Sequence, residues 1–417
     1  MIQPTGIGLY LSNESNKNYI IEEITTNRFL SDFFDLSSQK GVLHSTITIN
    51  RFIEEELRHD RHQIHNDKNA SLASMSSGEQ KKALLNYLIS QKPQYIILDD
   101  VYSNIDKETQ ASITKTIASL AERTLIIQLF FRKRDMLPCI ETVFTIDPNN
   151  EIIKQESAKD FQTSIQSDVF KQTSFRLPDE YSENHADLPD PLIQLNAVSV
   201  HYLDKPVLDK VSWSIQKGEF WQLVGPNGSG KSTLLSIIIG DNPRGYGQDM
   251  VLFGKKKGSG ETIWDIKRQI GYFTPSMMNQ FTRNDTVENM IISGLLDSVG
   301  LYTKPTDLQK EIARKWLDML CSSYKNKSFQ QLSIGQQRMV MVVRAIVKHP
   351  SLLILDEPTI ELDDANSQLF IEMINTIAKE KKIAIIYVSH RDEPNLNPDK
   401  VFELITGVNG SSGAQTK

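Results

Sequence analysis

Two stretches of this chain repeat each other at fixed spacing, and no other feature constrains its fold as much. SMSSGEQKKALL (74–85) matches QLSIGQQRMVMV (331–342), and PQYIILDDVYSNID (93–106) matches PSLLILDEPTIELD (350–363). Ser76 precedes Asp99 by 99 − 76 = 23 residues, and Ser333 precedes Asp356 by 356 − 333 = 23. Asp106 and Asp363 each fall 7 residues further on. Chance similarity does not hold both offsets, so the chain carries two copies of one unit. In each copy a small-residue turn opens an amphipathic helix, and a short apolar strand then ends in two carboxylates. YIILDD and LLILDE are apolar on both faces, the pattern of buried parallel strands. Strands alternating with helices imply an α/β fold.

The second copy adds a phosphate-binding motif. Gly225, Pro226, Asn227, Gly228, Ser229, Gly230, Lys231 and Ser232, followed by Thr233, fit G-x-x-x-x-G-K-[ST]. EFWQLV (219–224) reads as the strand before it and STLLSIIIG (232–240) as the helix after it. Glycines let backbone N–H groups converge on phosphate oxygens, and the helix N-terminus adds its positive end. In this motif Lys231 reaches the β/γ-phosphates and Ser232 ligates Mg²⁺. Asp356, at the end of the strand LLILD, is the second partner for Mg²⁺, and Glu357 is the base that orients the attacking water. Phosphoryl transfer asks mostly for positioning and charge neutralisation, so these two carboxylates suffice.

The ordered set GPNGSGKS, LSIGQ, LLILDEP and VSH (388–390) resembles the nucleotide-binding cassette of the ABC ATPases, from Leu192 to about Val408. The resemblance implies two P-loop cassettes in tandem, the first incomplete, binding ATP and Mg²⁺. It implies that Tyr202 stacks on adenine and that His390 contacts the γ-phosphate. Leu332 to Gln336 would be the signature loop, which caps a nucleotide held by an opposing cassette; in the first copy Ser76 and Gly78 stand in its place. GSGETIWDIKRQIGY (258–272) and the MSSGE-type first signature are similar to the molybdate-associated, photorepair-type tandem ATPases. One departure concerns coupling: IGYFTPSMMNQF (270–281) puts Pro275 where the family places a glutamine, with Gln280 several residues late.

The first half contains no G-x-x-x-x-G-K-[ST]. In the second half Lys231 precedes Ser333 by 333 − 231 = 102 residues, which would put a first-half lysine at 76 − 102 = −26, ahead of the chain. The first copy is therefore expected to lack its front. Asp100 replaces Glu357, and FFRKRD replaces VSHRDE. As the resemblance implies head-to-tail cassettes, one ATP site per chain is expected: Lys231, Glu357 and His390 served by Ser76 and Gly78.

The expected organisation is a partial cassette over 1–150, a flexible acidic linker over 151–191, a complete cassette over 192–408 and a disordered Gly/Ser-rich tail over 409–417. Asp and Glu total 52 against 46 Lys and Arg, a formal charge of −6, which gives no strong nucleic-acid signal. Two cysteines exclude a disulfide scaffold. No leader pattern or apolar run of about 20 residues is visible. His59, His62 and His65 recur every third residue, but without acids or cysteines at ligand spacing they read as a solvated helix face. The expected protein is a cytoplasmic ATPase, peripheral at the membrane, that energises separate transmembrane permease subunits, with molybdate or a related oxyanion as cargo and a dimer as one assembly. The alternatives are a soluble ATPase acting on ribosomes or DNA, and a slow-turnover regulatory module.

Overall fold

The computed structural model describes residues 6–416 except 60–63, 65–70, 104, 164–177, 179–187, 204, 321–323, 325–326 and 390–392. Two compact units emerge. The first comprises residues 1–172 together with 361–365, and the second comprises 173–360 and 366–417.

The first unit contains β1 (Gly6–Tyr10), α1 (Lys17–Thr25), β2 (Gly41–His44), α2 (Thr46–His59), α3 (Ser77–Ser90), β3 (Tyr95–Asp99), α4 (Lys107–Leu120), β4 (Leu125–Phe130), β5 (Thr142–Ile146), β6 (Ile152–Ser157) and α5 (Ala158–Thr163). Its six strands run β2-β3-β4-β1-β5-β6, all parallel except the last pair. Apolar side chains alternate between the two faces, as a doubly covered sheet requires. Ile96 and Leu98 of β3 pack with Leu84 of α3 and Ile117 of α4, whereas Ile97 packs with Ile7, Leu9 and Ile20 on the opposite side.

The second unit contains β7 (Ile193–Tyr202), β8 (Lys205–Ile215), β9 (Phe220–Val224), α6 (Lys231–Ile239), β10 (Met250–Leu252), β11 (Lys255–Lys256), α7 (Ile263–Gln269), β12 (Ile270–Phe273), α8 (Val287–Leu295), α9 (Asp307–Leu320), α10 (Ile334–Ile346), β13 (Leu352–Asp356), all but the first two residues of α11 (Asp364–Lys379), β14 (Ala384–Val388), β15 (Lys400–Ile405) and β16 (Ser412–Gln415). Its main sheet runs β12-β13-β14-β9-β15-β16, the same order as in the first unit. A separate antiparallel sheet, β11-β10-β7-β8, is added here and has no counterpart among the described residues of the first. Leu234 and Ile238 of α6 pack on Ile354 and Ile386 of the main sheet.

Two boundary expectations change. Residues 152–163 are not linker: β6 pairs antiparallel with β5, and Phe161 of α5 is buried against Tyr10 and Phe130. The Gly/Ser-rich tail is not disordered, because Ser412–Gln415 pairs along Phe402–Ile405. Small residues suit that edge: a Cβ on Gly413 would lie 2.3 Å from the Phe402 ring. Most of the remaining linker, together with His62 and His65, lies outside the described residues.

The shared register exposes one difference with a measurable consequence. His44 pairs with Leu98 at the end of β2, where Phe273 pairs with Leu355 at the end of β12. His44 is buried, and its Nε2 donates to the Lys81 carbonyl at 3.0 Å. Burial, with the Lys81 charge, lowers its pKa to about 4. The unfolded chain takes up this proton at the ordinary 6.5, so the stability that the neutral ring supports is complete above pH 6.5 and is lost as the pH falls to about 4. That loss is about 3 kcal/mol. His44→Phe should remove this share of the acid slope, read as the difference between variant and parent in urea unfolding of the first unit at pH 7 and pH 4.5. Equal slopes would show that the ring protonates in place.

Candidate functional site

Parallel pairing decides which side chains meet. Asp356 of β13 is level with Val388 of β14, and Val388 is level with Leu223 of β9. The loop after β9 and the carboxylate ending β13 therefore emerge at the same sheet edge, one strand apart. Ligands bind at such carboxyl ends of parallel strands.

The loop from Gly225 to Gly230 has a backbone that only glycine tolerates well. Gly228 and Gly230 have φ of 77° and 90°, in the left-handed region. A Cβ on Gly228 meets nothing within 4 Å, which marks an open cradle, whereas one on Gly230 would come within 2.8 Å of Leu208. Lys231 opens α6, and its Nζ donates to the carbonyls of Gly225 (2.8 Å) and Pro226 (3.0 Å). Ser229 Oγ is fully buried and has no hydrogen-bond partner, a group that a phosphate oxygen would satisfy. Thr233 is half-buried in the first turn of α6.

Asp356 is half-buried; burial raises its pKa while Lys231 opposes the shift. Ser232 is exposed at the helix start. One carboxylate and one hydroxyl are hard oxygen donors, the chemistry Mg²⁺ takes when phosphate and water complete its shell. Ser232 and Asp356 thus fit the ion, which would neutralise phosphate charge. Glu357 follows at φ 52°, and its N–H donates to Val388 at 3.0 Å. A non-glycine residue held there stores strain of about 1 kcal/mol or more, a recurrent mark of functional turns.

Tyr202 is 41% exposed at the end of β7. Its hydroxyl accepts from Asn242 Nδ2 at 2.7 Å, and the Arg244 guanidinium covers one ring face at 4.7 Å. Ser76 and Ser333 are matched N-caps: each accepts from the N–H three residues on, and each has a capping box, with Glu79 and Gln336 respectively. Gly78 is buried, with Thr109 3.1 Å from where a Cβ would stand. Pro275 opens a 3₁₀ turn over Pro275–Gln280, and Gln280 is exposed at its end. His390 lies outside the described residues.

The register also finds what motif reading missed. In the first unit Asp99 is level with Leu129, and Leu129 with Leu9. Leu9 thus corresponds to Leu223, and Lys17, eight residues on, corresponds to Lys231, also eight residues on. Lys17 opens α1 just as Lys231 opens α6. The consensus loop is absent, yet its place is filled by Leu11–Lys17. Extrapolation to −26 failed because the interval from Lys17 to Ser76 is 76 − 17 = 59 residues, not 102. The first unit therefore contains more than a signature and a strand-end acid pair.

Lys81 and Arg338 were missed too, each five residues past its signature serine. Lys81 Nζ donates to the carbonyls of Asp100 (2.7 Å) and Ser103 (2.9 Å), and Arg338 donates to that of Pro358 (3.4 Å). Each buried cation holds the turn after its acid pair. Asp100, at φ 48°, repeats the left-handed backbone of Glu357.

Residues 208–360 match the ABC transporter family. The ABC transporter ATP-binding protein ModF of Escherichia coli is 38% identical over 334 residues, covering 76% of this chain and 67% of its own length. The chain belongs to the ABC ATPases. A second ABC transporter ATP-binding protein, from Schizosaccharomyces pombe, is 27% identical over 78% of this chain and 66% of its own length. The chain therefore spans about two thirds of these two ABC relatives. The zinc uptake ATP-binding protein ZurA of Listeria innocua is 35% identical over 48% of this chain and 76% of its own. Across 98% of the chain, archaeal ABCE1 in a ribosome-bound model with Pelota aligns at a TM-score of 0.65 and 14% identity, a likeness of tandem ABC fold alone. No helix among the described residues is long and apolar enough to cross a membrane.

Proposed function

We propose that this ABC ATPase hydrolyses ATP at one site per chain and energises a transporter whose membrane subunits are separate polypeptides. The observation that carries the site is the open glycine cradle of Gly225–Gly230, with Lys231, Ser232, Asp356 and Glu357 at one sheet edge. Lys231 neutralises phosphate charge, Ser232 and Asp356 hold Mg²⁺, Glu357 orients water, Tyr202 stacks on adenine and His390 senses the γ-phosphate. The transport role is supported by the similarity to ModF, and an oxyanion such as molybdate is the cargo that the sequence resemblance suggests. We place the protein in the cytoplasm, peripheral at the membrane, and a dimer is compatible with this role.

Affinity capture of the full chain from solubilised membranes and from ribosomal fractions tests the role. Recovery with integral membrane subunits is the expected result. Recovery with ribosomes alone would replace it with a translation-associated ATPase.

Ser76 and Gly78 are proposed to serve the same nucleotide as Lys231. Because Ser76 and Ser333 cap their helices alike, Ser→Ala costs each helix a similar amount, about 1 kcal/mol. Any difference in turnover between the two variants then reports function. Ser76→Ala should slow ATP hydrolysis at least several-fold more than Ser333→Ala; the reverse order would move the site to second halves of two chains.

A further inference from the structure

The side chain of Asn242 ties Tyr202 to the helix that the phosphate loop opens. α6 ends at Gly240, whose φ of 87° turns the chain out of the helix, and a short 3₁₀ turn, Pro243–Gly245, follows. The N–H groups of Asp241 and Asn242 both donate to the Ser236 carbonyl, at 2.9 and 3.1 Å, so the start of the turn is anchored to α6. The Asn242 amide is then used on three sides. Its Nδ2 donates to Ser236 Oγ at 3.1 Å and to the Tyr202 hydroxyl at 2.7 Å, and its Oδ1 accepts from the Arg244 N–H at 3.1 Å. Both amide hydrogens and the oxygen of one residue thus join the aromatic ring, the helix and the turn.

The same turn brings the Arg244 guanidinium to 4.7 Å from the centre of the Tyr202 ring, within cation–π range. Tyr202 is 41% exposed at the end of β7, and Leu203 after it is 93% exposed with a left-handed backbone (φ 53°), so packing alone gives the ring little hold. The hydroxyl bond at its tip and the cation on one face supply that hold. A ring held in this way offers a planar ligand only its other face. The turn stands at the opposite end of α6 from the phosphate loop, about 13 Å along a nine-residue helix.

We propose that Asn242 and Arg244 bracket Tyr202 as a one-sided platform for the nucleotide base: the guanidinium backs the ring, the face toward the phosphate loop takes the base, and Asn242 sets the ring's distance from the helix that Lys231 opens. The proposal rests on the reading of Tyr202 and Lys231 as nucleotide contacts. Asn242 and Arg244 are positioning residues, acting through Tyr202 and touching neither base nor phosphate.

Equilibrium dialysis of the full chain with Mg²⁺ and two probes, a non-hydrolysable ATP analogue and inorganic tripolyphosphate, separates base from phosphate. Arg244→Ala keeps the backbone N–H that Asn242 holds, and the side chain is exposed, so the turn survives. The variant should bind the ATP analogue about threefold more weakly and tripolyphosphate as the parent does, with Arg244→Lys, which keeps the cation, close to the parent for both. Tyr202→Ala should weaken the analogue at least about fivefold. Adding Arg244→Ala to it should cost nothing more, because the bracket acts only through the ring. An equal loss for both probes, or an Arg244→Ala loss that persists without the ring, would overturn the bracket. Tighter binding of the analogue in Arg244→Ala would overturn it as well, since the guanidinium would then occupy the face that the base takes. Parent-like binding in Arg244→Ala beside a loss in Tyr202→Ala would remove the bracket and keep the platform. Parent-like binding in Tyr202→Ala would fail the platform reading itself, and the bracket with it.

Discussion

Glu357→Gln should lower steady-state ATP turnover by about 10²–10³-fold while ATP binding persists, as expected when a positioned general base is removed. The exchange is nearly isosteric, so the β13 turn and the Glu357 N–H bond to Val388 remain. What changes is the charge that orients water. Turnover and bound nucleotide should be measured on the same preparation, because only a fall in the first without the second assigns the role to chemistry. Unchanged turnover would transfer the base to another group. A parallel loss of both would mean that the left-handed backbone at φ 52° does not survive the exchange.

Lys231→Met should weaken ATP binding by about 10²-fold, since charge-assisted hydrogen bonds to phosphate contribute about 1.5–3 kcal/mol each and Lys231 supplies more than one. Methionine keeps the length and the apolar stem while removing the ammonium. That ammonium also bonds the carbonyls of Gly225 and Pro226, so the nucleotide-free variant should itself lose about 1–2 kcal/mol in urea unfolding. Equilibrium dialysis and unfolding on one sample separate the two effects. Parent-like affinity would show that the loop carbonyls, not phosphates, are the working partners of this lysine.

The repeat and its two offsets made the tandem α/β architecture legible, because they fix which strands end in carboxylates. The second phosphate loop was equally legible, as its glycines answer to a backbone requirement that composition cannot imitate. Lys17 was not, because strand register, rather than any residue pattern, identifies its loop. LSNESNK shares with GPNGSGK only Asn13, Ser15 and Lys17, and the interval to its signature is 43 residues shorter (102 − 59). Lys81 and Arg338 could have been found from their common offset of five, but a cation in an amphipathic helix carries no sign that it is buried. The linker and tail were misjudged for a related reason: β6 and β16 are edge strands, which tolerate polar and small residues that elsewhere indicate loops.

The two loops share one dimension. Lys17 lies seven positions after Tyr10 and Lys231 seven after Val224, although only the second loop has glycines. The length is set by the path from a central parallel strand to the helix that covers it, and the glycines by what approaches the backbone from outside. The chain thus separates, in two places, the demands of making a turn from the demands of holding a guest. A first-unit loop rebuilt with glycine at 11, 14 and 16 would change the guest list without changing the route.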